Sequence, residues 1–411
     1  MRTIVCFTFS DFSKDGGGRV RIYGILNGLI KSGHKVMLIS NASLEEDRFH
    51  KDIEHISLGF SLSDREKRFF QFALACFPMS VNQILFNKYL EKFEKKIAKK
   101  YRGEIIFFEY LDNSFGYFLY QNNLISNYIN DTHGIASLEF KFNESKGYGK
   151  LFNLLKEKVS LRLDKKVITH VKSMIVVSKE MKYYFSKKYP TLSSKLFLIP
   201  DGVNMVLCQQ KIDYDLLEIL TQSYKQNHQK IIFFAGNFKD LGGVIELLEV
   251  FISLSRKRDD IVLLLIGDGE HFERVKSISK NVKCSSRIYV IGRILYAHLK
   301  TYQQLADVIV CPDKYHPYSE MVPHIKYFDS LASGKIVING NFKVLSSINK
   351  NEYLSLSYPP SNWVALEETI NYALDHQDML LDRYKNVSKR VCIDYSYENY
   401  FKKFDISVIY E

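Results

Sequence analysis

Short apolar runs rich in Val, Ile, Leu and Phe alternate with amphipathic segments along the whole chain. Continuous apolar runs of this length are typical of strands that are buried on both faces of a parallel sheet. The first half contains five of them: TIVCFTFS, HKVMLIS, EIIFFEY, SMIVVS and KLFLIP. A helical pattern through Leu26 and Leu29 follows the first run. The alternation predicts one parallel α/β domain over residues 1–200.

The second half repeats this alternation with the runs KIIFFAG, IVLLLIGDG, RIYVIG, VIVCP and KIVING. Helical patterns at 243–255 and 295–305 follow two of them, which predicts a second doubly wound sheet over residues 201–394. The polar stretch 201–230 has no clear strand pattern and is predicted to link the domains. Two α/β domains in tandem bind ligands in the cleft between them, so we expect the chemistry on loops that follow strands.

The composition excludes several other classes of protein. The 411 residues are 46% hydrophobic and 25% charged, which is unlike disordered or low-complexity chains. The longest apolar run, 69–79, is shorter than the roughly 18 residues of a membrane-spanning helix. The opening residues also lack the features of a signal peptide. Six scattered cysteines without CxxC spacing predict reduced thiols, not a disulfide framework or a zinc site, and a cytoplasmic protein.

The positive charge is concentrated in the first half. Residues 1–200 hold 32 Lys and Arg against 20 Asp and Glu, a net charge of +12, whereas residues 201–411 have a net charge of −1. Such asymmetry indicates that the first domain faces an anionic partner. A phospholipid surface, a phosphorylated acceptor and a nucleic acid are the three candidates.

A glycine-rich turn follows the first predicted strand and precedes the first helix. Gly16, Gly17 and Gly18 would let backbone N–H groups approach a ligand closely, and Arg19 adds a cation. The alternative is a flexible turn, since glycines after strands are common. A complete GxGxxG is absent, which disfavours a nicotinamide dinucleotide.

Six segments, in order, are similar to the motifs of retaining family 4 glycosyltransferases of the GT-B fold. They are GGGR followed by LxxLxxxGHxV, Ile199–Asn204, Ile266–Glu270, Gly292–Arg293, Ala306–Val308 with Pro312, and Lys326–Lys335. The resemblance implies two Rossmann-like domains facing across a cleft, the first for the acceptor and the second for a nucleotide-sugar donor. It also implies that a last helix, 395–408, returns to the first domain.

The resemblance selects His133 as a catalytic candidate, because the family carries a histidine after the corresponding strand. A neutral imidazole there would hydrogen-bond the donor sugar or the leaving-group region. The alternative is a histidine on a surface loop. Glu139, six residues later, is a candidate acceptor-binding residue, together with Gly16 and Arg19.

In the second domain, Asp329 matches the acid that holds the nucleotide ribose, since a carboxylate accepts hydrogen bonds from vicinal hydroxyls. The family's other acid falls on Met321, with Glu320 one position away. Either an insertion near Pro323 redirects Glu320 into the site, or the sugar is held by backbone groups alone. Lys326 lies one helical turn before Asp329, and the alternative for both is a surface ion pair. The remaining candidate donor-binding residues are Gly17, Gly18, Asn237, Gly242, Gly243, Gly267, Asp268 and Arg293.

The largest departure from the family lies in the segment 236–243. Typical members have Arg and Lys where this chain has Asn237 and Gly242, and both cations stabilise the departing diphosphate. Lys239, Lys326 and Arg293 are the cations that would replace them, with Lys239 and Lys326 assigned a catalytic role. Gly242 and Gly243 also fit the N-terminus of a helix that binds phosphate through backbone amides.

Two basic amphipathic segments, 84–101 and 151–163, lie in the first domain. They are either ordinary surface helices with solvated lysines or surfaces that dock on anionic lipid. Arg65, Lys67 and Arg68, which precede the aromatic-rich run 69–79, fit the second interpretation.

These expectations define a retaining hexosyltransferase that transfers a sugar from a nucleotide-diphosphate sugar to a lipid-linked or polysaccharide acceptor in surface glycan biosynthesis. The resemblance implies that no metal or other cofactor is needed and that the donor phosphate takes the acceptor proton. A peripheral position on the inner face of the membrane fits the basic first domain. The alternative is a non-catalytic GT-B paralogue that acts as a binding partner. A nucleic-acid binder is disfavoured, because no recognised nucleic-acid module is present.

Overall fold

A computed structural model describes residues 2–10, 12, 17–41, 51–141, 148–225 and 229–411. The chain divides into two compact units. The first unit comprises Met1–Asp201 and Tyr397–Glu411, and the second comprises Gly202–Ser396. Each unit is built on one parallel sheet.

The first unit contains a seven-stranded sheet in the order β3-β2-β1-β4-β5-β6-β7, in which all neighbours are parallel. The central strands are buried along most of their length, and the apolar runs TIVCFTFS, EIIFFEY and SMIVVS predict three of them. The strands are β1 (Thr3–Phe7), β2 (Lys35–Ser40), β3 (Glu54–Ser57), β4 (Glu104–Phe107), β5 (Asn127–Thr132), β6 (Ser173–Val176) and β7 (Leu196–Leu198).

Helices follow most of these strands and cover the sheet. They are α1 (Gly17–Lys31), α2 (Asp64–Cys76), α3 (Met79–Phe93), α4 (Tyr110–Gln121), α5 (Ala136–Lys141), α6 (Tyr148–His170) and α7 (Lys179–Lys188). A short π-helical turn, Glu94–Ala98, extends α3. The predicted basic segment 84–101 therefore falls on α3 and this turn, and the segment 151–163 falls on α6.

The last helix of the chain, α18 (Tyr397–Lys403), packs on α1 in the first unit. Two glycines make this close approach possible. A Cβ atom at Gly24 would lie 2.3 Å from the Tyr397 ring, and one at Gly28 would lie 2.6 Å from the Phe401 ring. The C-terminal segment therefore occupies the space that side chains on α1 would otherwise fill.

The second unit contains a six-stranded sheet in the order β10-β9-β8-β11-β12-β13, again with parallel neighbours. The strands are β8 (Lys230–Ala235), β9 (Ile261–Ile266), β10 (Ile288–Gly292), β11 (Val308–Cys311), β12 (Ile336–Gly340) and β13 (Leu356–Tyr358). Because the strands are parallel, their carboxyl ends and the polar loops that follow them lie along one edge of the sheet.

Ten helices belong to the described part of the second unit. They are α8 (Met205–Gln209), α9 (Tyr214–Tyr224), α10 (Val244–Leu254), α11 (Phe272–Lys280), α12 (Leu299–Gln304), α13 (Ile325–Ala332), α14 (Lys343–Ser346), α15 (Trp363–Asp375), α16 (Gln377–Tyr384) and α17 (Val387–Asp394). Within residues 2–10, 12, 17–41, 51–141, 148–225 and 229–411, no helix is sufficiently long and apolar to span a bilayer.

The expectation that all six cysteines are reduced is wrong for one pair. Cys208 on α8 and Cys392 on α17 form a disulfide, although 184 residues separate them in the chain. The two helices pack together in the second unit, a proximity that no cysteine spacing reveals. Cys6, Cys76, Cys284 and Cys311 are free thiols.

We expect a thiol assay on the denatured, unreduced protein to detect four thiols, because the structure has four free cysteines. Reduction before denaturation should raise the count to the six cysteines of the sequence. A Cys208→Ser variant, in contrast, should expose Cys392 and show five thiols without reduction. Six thiols in the unreduced wild-type protein would contradict the disulfide.

Candidate functional site

The carboxyl ends of β4 and β5 meet the N-terminus of α1 in the first unit. A Cβ atom at Gly18 would lie 2.7 Å from Oε1 of Glu109 and 3.2 Å from Nε2 of His133. Glycine at this position therefore lets both side chains approach the first turn of the helix. An acid, an imidazole and the N-terminus of α1 are thus brought together.

A buried ion-pair network lies next to Glu109, His133 and the N-terminus of α1. Arg21 on α1 is completely buried and donates two hydrogen bonds to the Asp131 carboxylate, from Nε at 2.9 Å and from Nη2 at 2.6 Å. Its Nη1 atom donates to Oδ1 of Asp201 at 3.0 Å, and the Tyr397 hydroxyl donates to the same oxygen at 3.3 Å. This network joins α1, β5, the residue after Pro200 and the C-terminal helix.

His133 follows β5 and contacts the same network. Its Nδ1 atom lies 3.5 Å from Oδ2 of Asp131. Burial lowers the pKa of His133, but the hydrogen bond and the charge of Asp131 together outweigh burial. The pKa of His133 is therefore above its ordinary value. Burial raises the pKa of the Asp131 carboxyl. The charge and hydrogen bonds of Arg21 outweigh this effect and lower the pKa to about 2. Asp131 thus favours the protonated imidazole, whereas the sequence led us to expect a neutral one.

Glu109 and Asp112 are functional candidates that the sequence analysis missed. Glu109 precedes α4 and has φ 43°, a conformation that is unfavourable for a residue other than glycine. Asp112 is buried and accepts a hydrogen bond from the Phe9 N–H at 3.0 Å. Burial and then the charge of Glu109 raise the pKa of Asp112 well above its ordinary value. Their position directly after the apolar run EIIFF was the available signal.

The other predicted residues of the first unit are distributed as follows. Gly17 is the first residue of α1, and Arg19 is a half-buried residue of the same turn. Glu139 is exposed on α5. Gly16 lies outside the described residues.

Tight backbone turns follow β8 and β9 in the second unit. Gly267 has φ 142°, and a Cβ atom there would lie 1.8 Å from the carbonyl oxygen of Gly236. The Phe238 N–H donates to the carbonyl oxygen of Asp268 at 3.0 Å. These two loops are therefore bound to each other, with the side chains of Asn237 and Asp268 exposed.

Lys326 lies in the first turn of α13, beside these loops. Its Nζ atom forms an ion pair at 2.7 Å with Asp313, which follows β11, and lies 5.1 Å from the centre of the Phe234 ring. A Cβ atom at Gly236 would lie 3.4 Å from Cδ of Lys326. The methylene stem of Lys326 thus lies near Gly236, at the start of the segment 236–243, and its ammonium group pairs with Asp313.

Asp329 is 5% exposed on the next turn of α13. Its Oδ2 atom accepts a hydrogen bond from the Tyr296 hydroxyl at 3.1 Å, whereas Oδ1 is buried and has no hydrogen-bond partner among the described residues. Burial raises the pKa of Asp329 to about 7, which the Tyr296 hydrogen bond offsets only in part. The alternative of a surface ion pair with Lys326 is wrong, since Lys326 pairs with Asp313 and Asp329 is buried.

The remaining candidates surround this edge of the sheet. Glu320 accepts a hydrogen bond from the Lys343 N–H at 2.9 Å, at the start of α14. Lys239 and Arg293 are exposed. The left-handed residue before α10 is Gly243, with φ 67°, and a Cβ atom there would lie 1.8 Å from the carbonyl oxygen of Pro312. Gly242 precedes it in a short 3-10 turn.

Two doubly wound parallel sheets in one chain, each with its polar loops at the carboxyl ends of the strands, define the GT-B fold. Residues 218–390 match the family described as Glycosyl transferases group 1. An uncharacterised glycosyltransferase of Methanocaldococcus jannaschii is 22% identical over 231 residues, which are 56% of this chain. The chain thus spans 58% of the length of this curated relative.

Solved structures resemble the chain over nearly its whole length. Sucrose-phosphate synthase of Thermosynechococcus elongatus is 18% identical with a TM-score of 0.73, and the match covers 98% of this chain and 97% of that one. HepE of Anabaena in complex with UDP-glucose is 12% identical with a TM-score of 0.67, over 98% and 97% of the two chains. The structural likeness shows the fold, and together with the family match it supports a glycosyltransferase.

Proposed function

We propose that this protein transfers a sugar, with retention, from a nucleotide-diphosphate sugar to a lipid-linked or polysaccharide acceptor. The second unit binds the donor, and the first unit binds the acceptor. HepE, with a similar fold, is solved in complex with UDP-glucose, which makes UDP-glucose the first donor to test. That the reaction needs no metal stays a prediction.

The observation that carries the proposal is the buried carboxylate of Asp329. Its Oδ1 atom has no hydrogen-bond partner among the described residues, and an unpaired buried acceptor is costly unless a ligand satisfies it. It lies on α13, one turn after the Lys326 cation. A carboxylate and an ammonium group suit the two polar parts of a nucleotide, the ribose hydroxyls and the phosphates.

In the first unit, Glu109 and His133 lie beside Gly18 at the N-terminus of α1, and we propose that these two side chains act on the substrates. The N-terminus of α1 and the imidazole, whose pKa is raised, favour an anionic or hydroxyl-bearing group. We propose that Glu109 accepts a hydrogen bond from the acceptor hydroxyl and that His133 donates to the reacting sugar. Gly16, Arg19 and Glu139 remain proposed acceptor-binding residues.

Replacing Asp329 with Asn should weaken UDP-glucose binding about tenfold or more, since hydrogen bonds to a charged acceptor contribute about 1.5–3 kcal/mol. Binding to the wild-type protein should also strengthen as the pH rises from about 6 to 8, because the pKa of Asp329 is raised to about 7 and the ionised form is the better acceptor. Asp329→Asn should remove this pH dependence. Isothermal titration calorimetry at several pH values measures both effects.

Glu273→Gln is the matched control, since it makes the same change at an exposed position of α11. It should leave both the affinity and its pH dependence unchanged. If Asp329→Asn binds UDP-glucose and a panel of other nucleotide sugars as tightly as the wild type does, Asp329 does not hold the donor.

A non-catalytic GT-B paralogue is the second candidate, favoured by Asn237 and Gly242 at the positions of the usual cations. Donor hydrolysis separates the two, since an active transferase would release sugar to water slowly in the absence of an acceptor. Donor binding without any hydrolysis or transfer would favour the paralogue.

A further inference from the structure

Two helices of the first unit form a hairpin whose outer face is unusually apolar. Glu66 on α2 accepts hydrogen bonds from Lys88 at 3.2 Å and from Tyr89 at 2.6 Å on α3. Nearer the connecting residues 77–78, the rings of Phe70 and Phe86 lie 4.9 Å apart. These contacts show that α2 and α3 run antiparallel and that their inner faces are packed.

Large apolar side chains nevertheless point outward from both helices near the turn. Ile84 is 80% exposed, and the whole set, which we call the hairpin patch, consists of Phe69, Phe72, Val81, Ile84 and Leu85. The residues recur at helical spacing of three and four along each helix, so each helix presents an apolar stripe. A single exposed apolar residue is ordinary, but two stripes side by side indicate an interaction surface.

Basic side chains continue the same stripes away from the turn. On α2, Arg65 and Arg68 lie one helical turn before Phe69 and Phe72. On α3, Lys88 lies one turn after Ile84, and Lys92 lies one turn after Lys88. All four are exposed. Residues 64–100 hold nine Lys and Arg against four Asp and Glu, a net charge of +5. The hairpin is thus apolar at its turn and basic one to two turns farther along.

We infer that this hairpin docks the protein on an anionic lipid bilayer, with the hairpin patch among the acyl chains and the basic residues at the headgroups. Because one helical turn advances 5.4 Å along the axis, residues at the turn would enter the acyl chains while the basic residues one turn farther along stay at the headgroups. An anionic bilayer complements this arrangement, because its acyl chains would surround the hairpin patch and its negative headgroups would face the basic residues. The net charge of +12 on residues 1–200 adds long-range attraction to such a surface.

Vesicle flotation tests this inference on the full chain without any sugar substrate, so its outcome is independent of the proposed transferase activity. We expect binding to phosphatidylcholine vesicles that contain about 30% phosphatidylglycerol, and little binding to phosphatidylcholine alone. Ile84→Glu should lower the affinity more than tenfold. The double variant Arg65→Gln/Arg68→Gln should lower it about 25-fold, since each well-placed cation contributes about fivefold.

Ile219→Glu is the matched control, because Ile219 is 60% exposed on α9 in the second unit. It should bind vesicles as the wild type does, and circular dichroism should show all variants folded. A Leu85→Trp variant gives a second measurement, since its fluorescence should shift to shorter wavelength with anionic vesicles if the side chain enters the bilayer.

Two results would overturn the inference. The first is absence of binding to anionic vesicles at low salt. The second is binding that Ile84→Glu leaves unchanged while Leu85→Trp shows no spectral shift, which would mean that positive charge alone attracts the protein and that the hairpin does not insert.

Discussion

Replacing Arg21 with Met should destabilise the first unit by about 3–5 kcal/mol, the usual cost of removing one partner from a buried ion pair. The reason is that Asp131 and Asp201, whose side chains are almost fully buried, would keep their burial and lose their cation. Chemical denaturation followed by circular dichroism measures the loss. Amide hydrogen exchange measured on peptides should become faster in α1 and β5, whereas the amides of β8 and β9 should stay protected.

The pH dependence of this loss has a definite sign. In the wild-type protein Arg21 lowers the pKa of Asp131 to about 2, so the stabilisation is present above the ordinary carboxyl pKa of about 4 and is lost as the pH falls toward 2. Without Arg21, burial raises the pKa of Asp131, and the weaker contribution of His133 opposes it only in part. The variant should therefore be less destabilised at about pH 5 than at about pH 8.

Two further variants control this prediction. Arg21→Met/Asp131→Asn should be more stable than Arg21→Met, because it removes one of the two uncompensated charges. Lys385→Met breaks an exposed pair with Asp382 and should change the stability by no more than about 1 kcal/mol. If Arg21→Met is as stable as Lys385→Met, the network does not support the first unit.

The two-sheet fold could be predicted from the sequence because buried parallel strands leave a local signal. Each continuous apolar run, such as KIIFFAG or IVLLLIGDG, became a strand with its polar residues at the carboxyl end. The weaker signals failed. β3 is only partly buried and β13 has three residues, and neither has an apolar run that predicts it.

The candidate residues His133, Gly267 and Asp268 were selected by the resemblance of their segments to a family, and the structure places each of them directly after a strand. Their roles stay predictions. Arg21 was missed, because a cation in a helix is expected at the surface. Its partners Asp131 and Asp201 lie 110 and 180 positions away in the chain, and only the fold brings them close. The Asp313 partner of Lys326 was missed for the same reason.

The strain at Glu109 has no local signal at all. Its φ of 43° is unfavourable for any side chain, so no sequence pattern would predict it. The disulfide between Cys208 and Cys392 likewise depends on the packing of two distant helices. Such features arise from tertiary structure, which overrides local preference.

Replacing Lys326 with Met should reduce turnover about 100-fold or more, the scale of losing one well-placed electrostatic stabiliser of a leaving group. The stem of Lys326 lies near Gly236, whereas the usual cation positions carry Asn237 and Gly242. Donor hydrolysis, or transfer once an acceptor is known, measures the effect. Lys239→Met provides the comparison, because it makes the same change at an exposed lysine of the neighbouring loop.

A purely structural role for Lys326 predicts a different pattern. Its Nζ atom pairs with Asp313, which is buried, so Lys326→Met also leaves an unpaired carboxylate. Asp313→Asn removes that carboxylate and keeps the ammonium group. If Lys326 neutralises the leaving diphosphate, Asp313→Asn should keep most of the turnover, and Lys326→Met/Asp313→Asn should recover stability without recovering turnover. If Lys326 only balances Asp313, the double variant should recover both.

Asn237→Arg extends the test to the question of enzyme or paralogue. In an enzyme whose phosphate is already neutralised by Lys326, a second cation at this exposed position should add little to the turnover. In a paralogue that lost activity with its usual cations, the same change should create measurable donor hydrolysis. Full activity in both Lys239→Met and Lys326→Met would sink the idea that either lysine has replaced the missing cations. Hydrolysis that fails in every variant, while UDP-glucose still binds, would identify the protein as a binding partner that keeps the donor site and has lost the chemistry.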